Sequence, residues 1–492
     1  MPKSKSLSSL GLHTLNGNDP VINKIVFDSR QAEPGCLFAA LKGGSAHGAN
    51  FVEAVLDAGA SAILTDEEGE LILKGSKIDA LVVEKDARRA FAKAVSLFME
   101  KQPETIVAIT GTNGKTSVAT FCRQLWNKAG IEAINIGTTG VEGSWSTSLN
   151  YTTPDPVQLH QILHKAASEG ITHVAMEASS HGLDQRRLDG VEIKTTAFTN
   201  FSRDHLDYHV SIKDYFKAKK GLFERLCPKE KVGVFNIDSK EIKDLANWYS
   251  LNNDVLKIGY DKTADLVILS QKFHPKSQDI RFSFRDKIYQ KSINLIGAFQ
   301  AKNLLMAALL VIASGQPESI IFEILENIKP VRGRMELAAT KKNGATVYVD
   351  YAHTPDAIDV ALKSLRPHVL GKLIVIIGAG GERDQGKRPL MGAAAEKNSD
   401  FVIITDDNPR TEDPSVIHQM IKNGIQNDNK VTVITDRAEA ILNAVNLLEE
   451  GDGLLITGKG HETEQVIGEN NFPFDDFEQA SLSVASLDGL EK

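Results

Sequence analysis

TIVAITGTNGKTSVATF, running from Thr105 to Phe121, is the stretch whose reading decides the fold. Its first six residues form an apolar run that reads as a buried strand, and its end opens a helix that continues through CRQLWNKAG. The turn between them carries Gly111, Thr112, Asn113 and Gly114, with Lys115 and Thr116 at the helix start. A strand, a glycine turn and a helix in this order make a phosphate cradle. Backbone N–H groups converge on phosphate oxygens, the helix start adds partial positive charge, Lys115 adds a full charge, and the Thr116 hydroxyl suits Mg²⁺. The longer form of the pattern places glycine at position 109, where this chain has Ile109, so the short form applies. A glycine turn alone needs no ligand; the lysine–threonine pair in this context points to a nucleotide.

Working outward, strand and helix patterns alternate on both sides. After the helix come HVAMEA, TTAFTN and VGVFN, which predict a mostly parallel sheet covered by helices. Residues Asp254 to Asn294 alternate as β-structure and predict a ribbon appended to this central domain, followed by the helix AKNLLMAALLVIAS. Before it, KIVFDSR, CLFAALKGG, SAILTD and ALVVEK with the amphipathic stretch NFVEAVLDAGA read as a small α/β domain. Beyond KPVRGRMEL, the strands ATVYVDY, LIVIIGAG, DFVIITD, KVTVITD and GLLITG predict a second doubly wound, Rossmann-like unit. The expected organisation is α/β throughout, with domains at 1–103, 104–331 and 332–492.

The chain has 492 residues, enough for about three domains at roughly 150 residues each. A net charge of −8 argues against a surface built for nucleic acid, while leaving room for local anion sites. Three cysteines, Cys36, Cys122 and Cys227, are too few and too scattered for a disulfide framework or a metal ladder. The amino terminus lacks the apolar core of a secretion signal, and no apolar run reaches the roughly 18 residues of a membrane span. These features place the chain in the cytoplasm, with a monomer favoured.

The segments GTNGKT, MEASSHGL, FTNFSRDHLDYH, DYAHTPDA and GKGHE together resemble the ATP-dependent Mur ligases of bacterial cell-wall synthesis. The resemblance implies a peptidoglycan-precursor ligase that uses ATP and Mg²⁺. On DNPR, Asp407 to Arg410, it implies meso-2,6-diaminopimelate as the amino acid joined to UDP-N-acetylmuramoyl-L-alanyl-D-glutamate through an acyl phosphate. Glu177 closes the strand HVAME and His205 follows TTAFTN, so both project at carboxyl ends of strands, where parallel sheets bind ligands. The family reading makes them metal ligands with Thr116, although imidazole is not a ligand that Mg²⁺ prefers. Lys219, which with Lys217 and Lys220 sits on the helix expected in HVSIKDYFKAKKGLF, otherwise reads as part of a solvated basic face. Family register makes it the lysine carbamylated by CO₂, which turns a metal-repelling ammonium into an anionic oxygen ligand that also serves the UDP precursor.

By the same resemblance, Ser29 and Arg30 of FDSR, Thr152 and Thr153 of YTTPDP, and Ser179, Gln185 and Arg187 hold the UDP precursor. Hydroxyls and a guanidinium suit a pyrophosphate. Asn303, Arg334, Asp350 and His353 fall near the nucleotide, and Arg334 marks a hinge. Diaminopimelate falls to Arg383, Asp407, Asn408, Arg410, Gly458 and Glu462. Its distal carboxylate and ammonium call for a bidentate cation plus acidic acceptors, which Arg410 with Asp407 and Glu462 supply. Gln300, Arg332 and Glu382 stand where the family more often has asparagine, proline and aspartate. Rival readings are a related ligase adding L-lysine, a folylpolyglutamate-type ligase, and a regulatory protein that hydrolyses ATP without ligating anything.

Overall fold

The computed structural model describes residues 3–44, 46–205 and 208–489. The chain divides into two compact units: Met1–Phe201 with His209–Leu256 and Leu309–Gln316, and Ser202–Tyr208 with Lys257–Ala308 and Pro317–Lys492.

Beside the short antiparallel pair Lys5–Ser6 and Val21–Ile22, two main sheets build the first unit. The smaller has four parallel strands in chain order, Lys24–Val26, Cys36–Ala40, Ala62–Thr65 and Leu81–Val83, as the opening motifs predict. Helix Ala87–Met99 covers it, and the sequence reading passed over that helix. Its buried face follows helical spacing through Ala87, Phe91, Ala94, Val95 and Phe98, but alanines carry little hydrophobic signal beside Arg88, Arg89 and Lys93. The larger sheet places Val232–Asn236, Ile193–Phe198, Thr105–Thr110, His173–Glu177 and Ala133–Gly137 side by side, all parallel. Strand Ala133–Gly137 also went unread, because buried Asn135 breaks its apolar run; its side-chain amide bonds Arg123 and Glu142.

Register brings the carboxyl ends of these strands level: Glu177 lies opposite Ile109, and Phe198 opposite Thr110. Helix caps then set where each helix begins. Asp155 accepts from two amides at the start of Pro156–Ser168, and Ser211 caps Ile212–Gly221. Lys115–Lys128 has no side-chain cap at Gly114, so its first amides face the loop.

In the second unit the order is Glu336–Thr340, Thr346–Asp350, Gly453–Thr457, Leu373–Ile377, Phe401–Ile404 and Val431–Val433. The five strands read from sequence are parallel; the unread Glu336–Thr340 adds an antiparallel edge. Alternate residues feed two cores, Val375, Ile377 and Leu455 on one face and Ile374, Ile376 and Leu454 on the other. The β-ribbon, Leu266–His274, Ser277–Phe284 and Lys287–Ile293, is antiparallel. Its strands continue the order of the larger sheet beyond Asp254–Gly259, in keeping with the ribbon expected on the central domain, and His368 packs against it. That ring meets the His274 carbonyl at 2.6 Å, accepts from Gly297 N at 3.0 Å, and stands edge-on to Phe273. Among the described residues, no helix is long and apolar enough to cross a membrane.

His160, on helix Pro156–Ser168, is fully buried in the first unit, and among the described residues neither ring nitrogen has a hydrogen-bond partner. A Cβ at Gly190 would lie 2.5 Å from the Ala92 carbonyl and 2.8 Å from His160 Nε2, so this glycine lets the chain approach both. Burial pushes the imidazole pKa down to about 4. The unfolded chain therefore takes up the proton first as pH falls. Stability is untouched above about pH 6.5 and is lost as pH drops toward 4. Between pH 7 and pH 5 the wild type should lose roughly 2 kcal/mol more than His160→Met, read from urea midpoints. Equal losses would show that the folded chain protonates His160 freely.

Candidate functional site

The phosphate loop is built by its neighbours. Asn200 brackets Asn113: its Oδ1 accepts from Asn113 N at 2.9 Å, and its Nδ2 donates to the Asn113 carbonyl at 2.9 Å. Thr199 Oγ1 donates to that same carbonyl at 2.6 Å, and Thr112 N donates to the Asn200 carbonyl at 2.9 Å. Gly111 has φ +145°, and a Cβ there would lie 1.9 Å from Thr199 Oγ1, so only glycine fits. Tyr215 OH reaches Thr112 Oγ1 at 3.2 Å. Asn200 sits inside a motif quoted above but was not singled out; nothing local marks Tyr215.

Two lysines converge on one carbonyl. Lys115 Nζ donates to Gly111 O at 3.1 Å and to Thr112 O at 2.8 Å, while Lys219 Nζ donates to Gly111 O at 2.7 Å. Lys219 is 1% exposed, which overturns the solvated-face reading for this residue. A π-turn, Leu222–Leu226, directly follows its helix. Glu177 is also 1% exposed; its Oε1 accepts from Thr138 N at 2.7 Å and its Oε2 from Thr138 Oγ1 at 3.3 Å. The first unit thus gathers Lys115, Thr116, Glu177 and Lys219 around the level strand ends. His205 belongs to the second unit, in left-handed backbone at φ 53°, with Asp204 accepting from its N–H at 2.8 Å. Among the described residues no three His, Cys, Asp or Glu side chains cluster as a ready metal site.

The UDP-precursor candidates fall into two groups. Thr152, Thr153, Ser179, Gln185 and Arg187 come together: Arg187 donates to Thr153 O at 2.6 Å and to Gln185 Oε1 at 2.8 Å, with its guanidinium over the Tyr151 ring. Thr152 Oγ1 is 3.1 Å from Thr138 Oγ1. The Thr153 hydroxyl serves the fold, donating to Glu177 O at 2.8 Å and accepting from Ser179 N at 3.0 Å, and Ser179 caps the short helix Ser180–Asp184. Ser29 and Arg30 form a separate turn capped by Asp28, onto which the Arg30 fork folds at 2.7 and 2.9 Å.

In the second unit, Gln300 ties Arg334 to Asn303, donating to Arg334 O at 3.0 Å and accepting from Asn303 Nδ2 at 3.2 Å. The departure from asparagine therefore keeps these candidates joined. Arg334 stacks over Tyr351 at 4.5 Å. Asp350 accepts from Met335 N at 2.7 Å and Ala352 N at 2.9 Å; burial pushes its pKa up, opposed by Arg334 and those amides. His353 Nδ1 lies 2.7 Å from Tyr351 O.

The amino-acid candidates also assemble. Asn408 Nδ2 donates to Glu462 Oε2 at 3.0 Å, and Asp407 Oδ2 would be 2.3 Å from a Cβ at Gly458. Arg410 Nη1 donates to Gly381 O at 2.7 Å, and a Cβ at Gly380 would sit 2.9 Å from Arg410 Nη1 and 3.6 Å from Arg383 Cγ. Arg410 and Glu382 both adopt left-handed backbone, at φ 54° and 57°, a strain that persists where surroundings over-determine the loop. Two buried arginines supply that constraint. Arg388 forks onto Glu412 at 2.6 and 2.8 Å and holds the Glu412 carboxyl down to about 2. Arg437 forks onto Asp476 at 2.7 Å twice and donates to the carbonyls of Asp406 and Thr457. Sequence reasoning missed both, because their partners lie 24 and 39 residues away.

Three family models match the chain: "Mur ligase family, catalytic domain" over residues 21–100, "Mur ligase middle domain" over 109–311, and "Mur ligase, glutamate ligase domain" over 333–460. It is 44% identical over 469 residues to the UDP-N-acetylmuramoyl-L-alanyl-D-glutamate–2,6-diaminopimelate ligase of Rhizobium meliloti (strain 1021), covering 95% of each chain. The Caulobacter vibrioides protein of the same name is 43% identical, over 96% of this chain and 97% of that one. A solved structure carrying that enzyme name superposes with a TM-score of 0.73 at 31% identity, over 99% of both chains.

Gly111→Ala should weaken MgATP binding at least about tenfold, since relieving the Thr199 contact displaces the loop at a cost of roughly 1–3 kcal/mol. Titration calorimetry measures it, with circular dichroism as the check on folding. Unchanged affinity would remove this loop from nucleotide binding.

Proposed function

This chain belongs to the Mur ligase family, and we propose how its residues share out one reaction: it is an ATP-dependent ligase joining meso-2,6-diaminopimelate to UDP-N-acetylmuramoyl-L-alanyl-D-glutamate in peptidoglycan synthesis. The family's three domains are all represented, and we draw their limits at 1–103, 104–331 and 332–492. A cytoplasmic monomer is the form we assign to it.

The D-glutamyl γ-carboxylate attacks the γ-phosphorus of ATP, giving an acyl phosphate and ADP. The diaminopimelate amine then attacks the acyl carbon and releases phosphate. Lys115 and the open helix start at Gly114 hold the phosphates, so positioning and fixed charge supply most of the rate. Thr152, Ser179, Gln185 and Arg187 are assigned to the UDP precursor, with Ser29 and Arg30 at its uridine end. Asn303, Arg334, Asp350 and His353 are assigned to the nucleotide.

The family uses ATP with Mg²⁺, and the Thr116 hydroxyl and the buried Glu177 carboxylate offer oxygen donors of the kind that ion prefers; His205 and a carbamate on Lys219 are assigned to it on the family resemblance. Bound there, Mg²⁺ would neutralise charge on the phosphate oxygens. The single observation that carries the Lys219 assignment is the shared Gly111 carbonyl. Two ammonium groups that share one carbonyl oxygen repel each other. A carbamate on Lys219 removes that repulsion, keeps an N–H for Gly111, and presents anionic oxygens to a cation.

Incubation with ATP, precursor and either diaminopimelate or lysine, read by product mass, tests the reaction; phosphate release needing neither acceptor would replace ligation by simple hydrolysis. Arg410→Ala should cut kcat/KM for diaminopimelate by about ten- to hundredfold and narrow the preference over lysine, because Arg410 pairs the distal carboxylate. An unchanged preference would move that carboxylate elsewhere. Lys219→Ala should lower kcat about a hundredfold or more, with partial recovery on adding a short carboxylate. Full activity in that variant would remove Lys219 from the site.

A further inference from the structure

Lys459, in GKGHE, is wholly buried although it lies at the end of a strand in a loop segment. Gly458 and Gly460 flank it in left-handed backbone, at φ 111° and 57°. Neither can carry a side chain, since a Cβ at Gly460 would lie 2.7 Å from Tyr351 Cβ, and the one at Gly458 would meet Asp407. The turn they permit sends Lys459 beneath the DNPR loop. There Nζ donates to Asn408 Oδ1 at 3.1 Å, Glu462 Oε2 at 3.2 Å and Glu464 O at 2.5 Å. Three acceptors match the three protons of an ammonium.

These bonds fix two recognition residues at once. Asn408 Oδ1 accepts from Val466 N at 2.9 Å as well as from Lys459, which turns Nδ2 toward Glu462. Both donors to Glu462 fall on Oε2, so Oε1 is the oxygen left for an incoming ammonium.

We propose that Lys459 is a specificity-determining positioning residue: without touching the ligand, its buried ammonium locks Asn408 and Glu462 in the arrangement that selects the zwitterionic end of diaminopimelate. The proposal rests on the diaminopimelate reading above. Lys459 is the ion-pair partner of Glu462, at 3.2 Å. Without it that carboxylate loses both its fixed orientation and a neutralising charge, which shifts preference toward an end carrying only an ammonium, as lysine does.

The full-length protein tests this, with kcat and KM measured for all three substrates. Lys459→Met should raise KM for diaminopimelate about tenfold or more and lower its kcat/KM ratio over lysine by at least about tenfold, with KM for ATP and precursor within about twofold. Lys459→Arg should restore part of the ratio. Should Lys459→Met fail to fold, Glu462→Gln takes its place: it leaves Lys459 unbalanced, so the ratio over lysine should rise. An unchanged ratio in either variant, or KM values that rise together for all three substrates, would overturn the proposal. A wild type that joins no diaminopimelate overturns the underlying reading and this one with it; a wild type that joins it, with a variant that keeps its ratio, overturns this one alone.

Discussion

A helix that starts without a side-chain cap is the constraint on which the first unit depends. Pro156–Ser168 and Ile212–Gly221 begin on capping side chains, whereas Lys115–Lys128 begins on Gly114 with none. A helix start of this kind favours an anion in front of it and needs the loop ahead of it held still. Here the loop is held: Thr199 and Asn200 clasp Asn113, and Lys115 and Lys219 both donate to the Gly111 carbonyl. The parallel register makes this possible, because it levels Ile109, Glu177 and Phe198 and so delivers Glu177 and the Thr199–Asn200 clasp to one edge. Change the register by one residue and each of these side chains would face the opposite side of the sheet.

In the second unit a different device does the equivalent work. The loops that carry Asp407, Asn408 and Arg410 contain strained backbone, and ion pairs of two buried arginines stand behind them, Arg437–Asp476 being buried on both sides. Removing one member of that fully buried pair leaves an uncompensated charge, at about 3–5 kcal/mol. That penalty far exceeds what a surface turn could contribute, which is why the loops keep φ values that Arg410 and Glu382 would not adopt alone.

The sheet order was legible because buried parallel strands are written as short apolar runs bounded by turns, and the phosphate loop because its residues are contiguous. Ala133–Gly137 escaped because Asn135 is polar yet buried, and helix Ala87–Met99 because its inner face uses alanine. Lys219 shows the limit of pattern reading: among three lysines within four residues, only packing distinguishes the one that is 1% exposed. The motifs located Asp407, Asn408 and Glu462, but not what orients them. Arg388 and Arg437 act through partners distant in sequence, and no local spacing encodes such a pair.

The placement of those two arginines has an evolutionary consequence. They grip carbonyls and carboxylates at the back of the recognition loops, so the tips can be exchanged while the scaffold that shapes them persists. Substitutions confined to the tips therefore leave both ion pairs and the sheet beneath them in place.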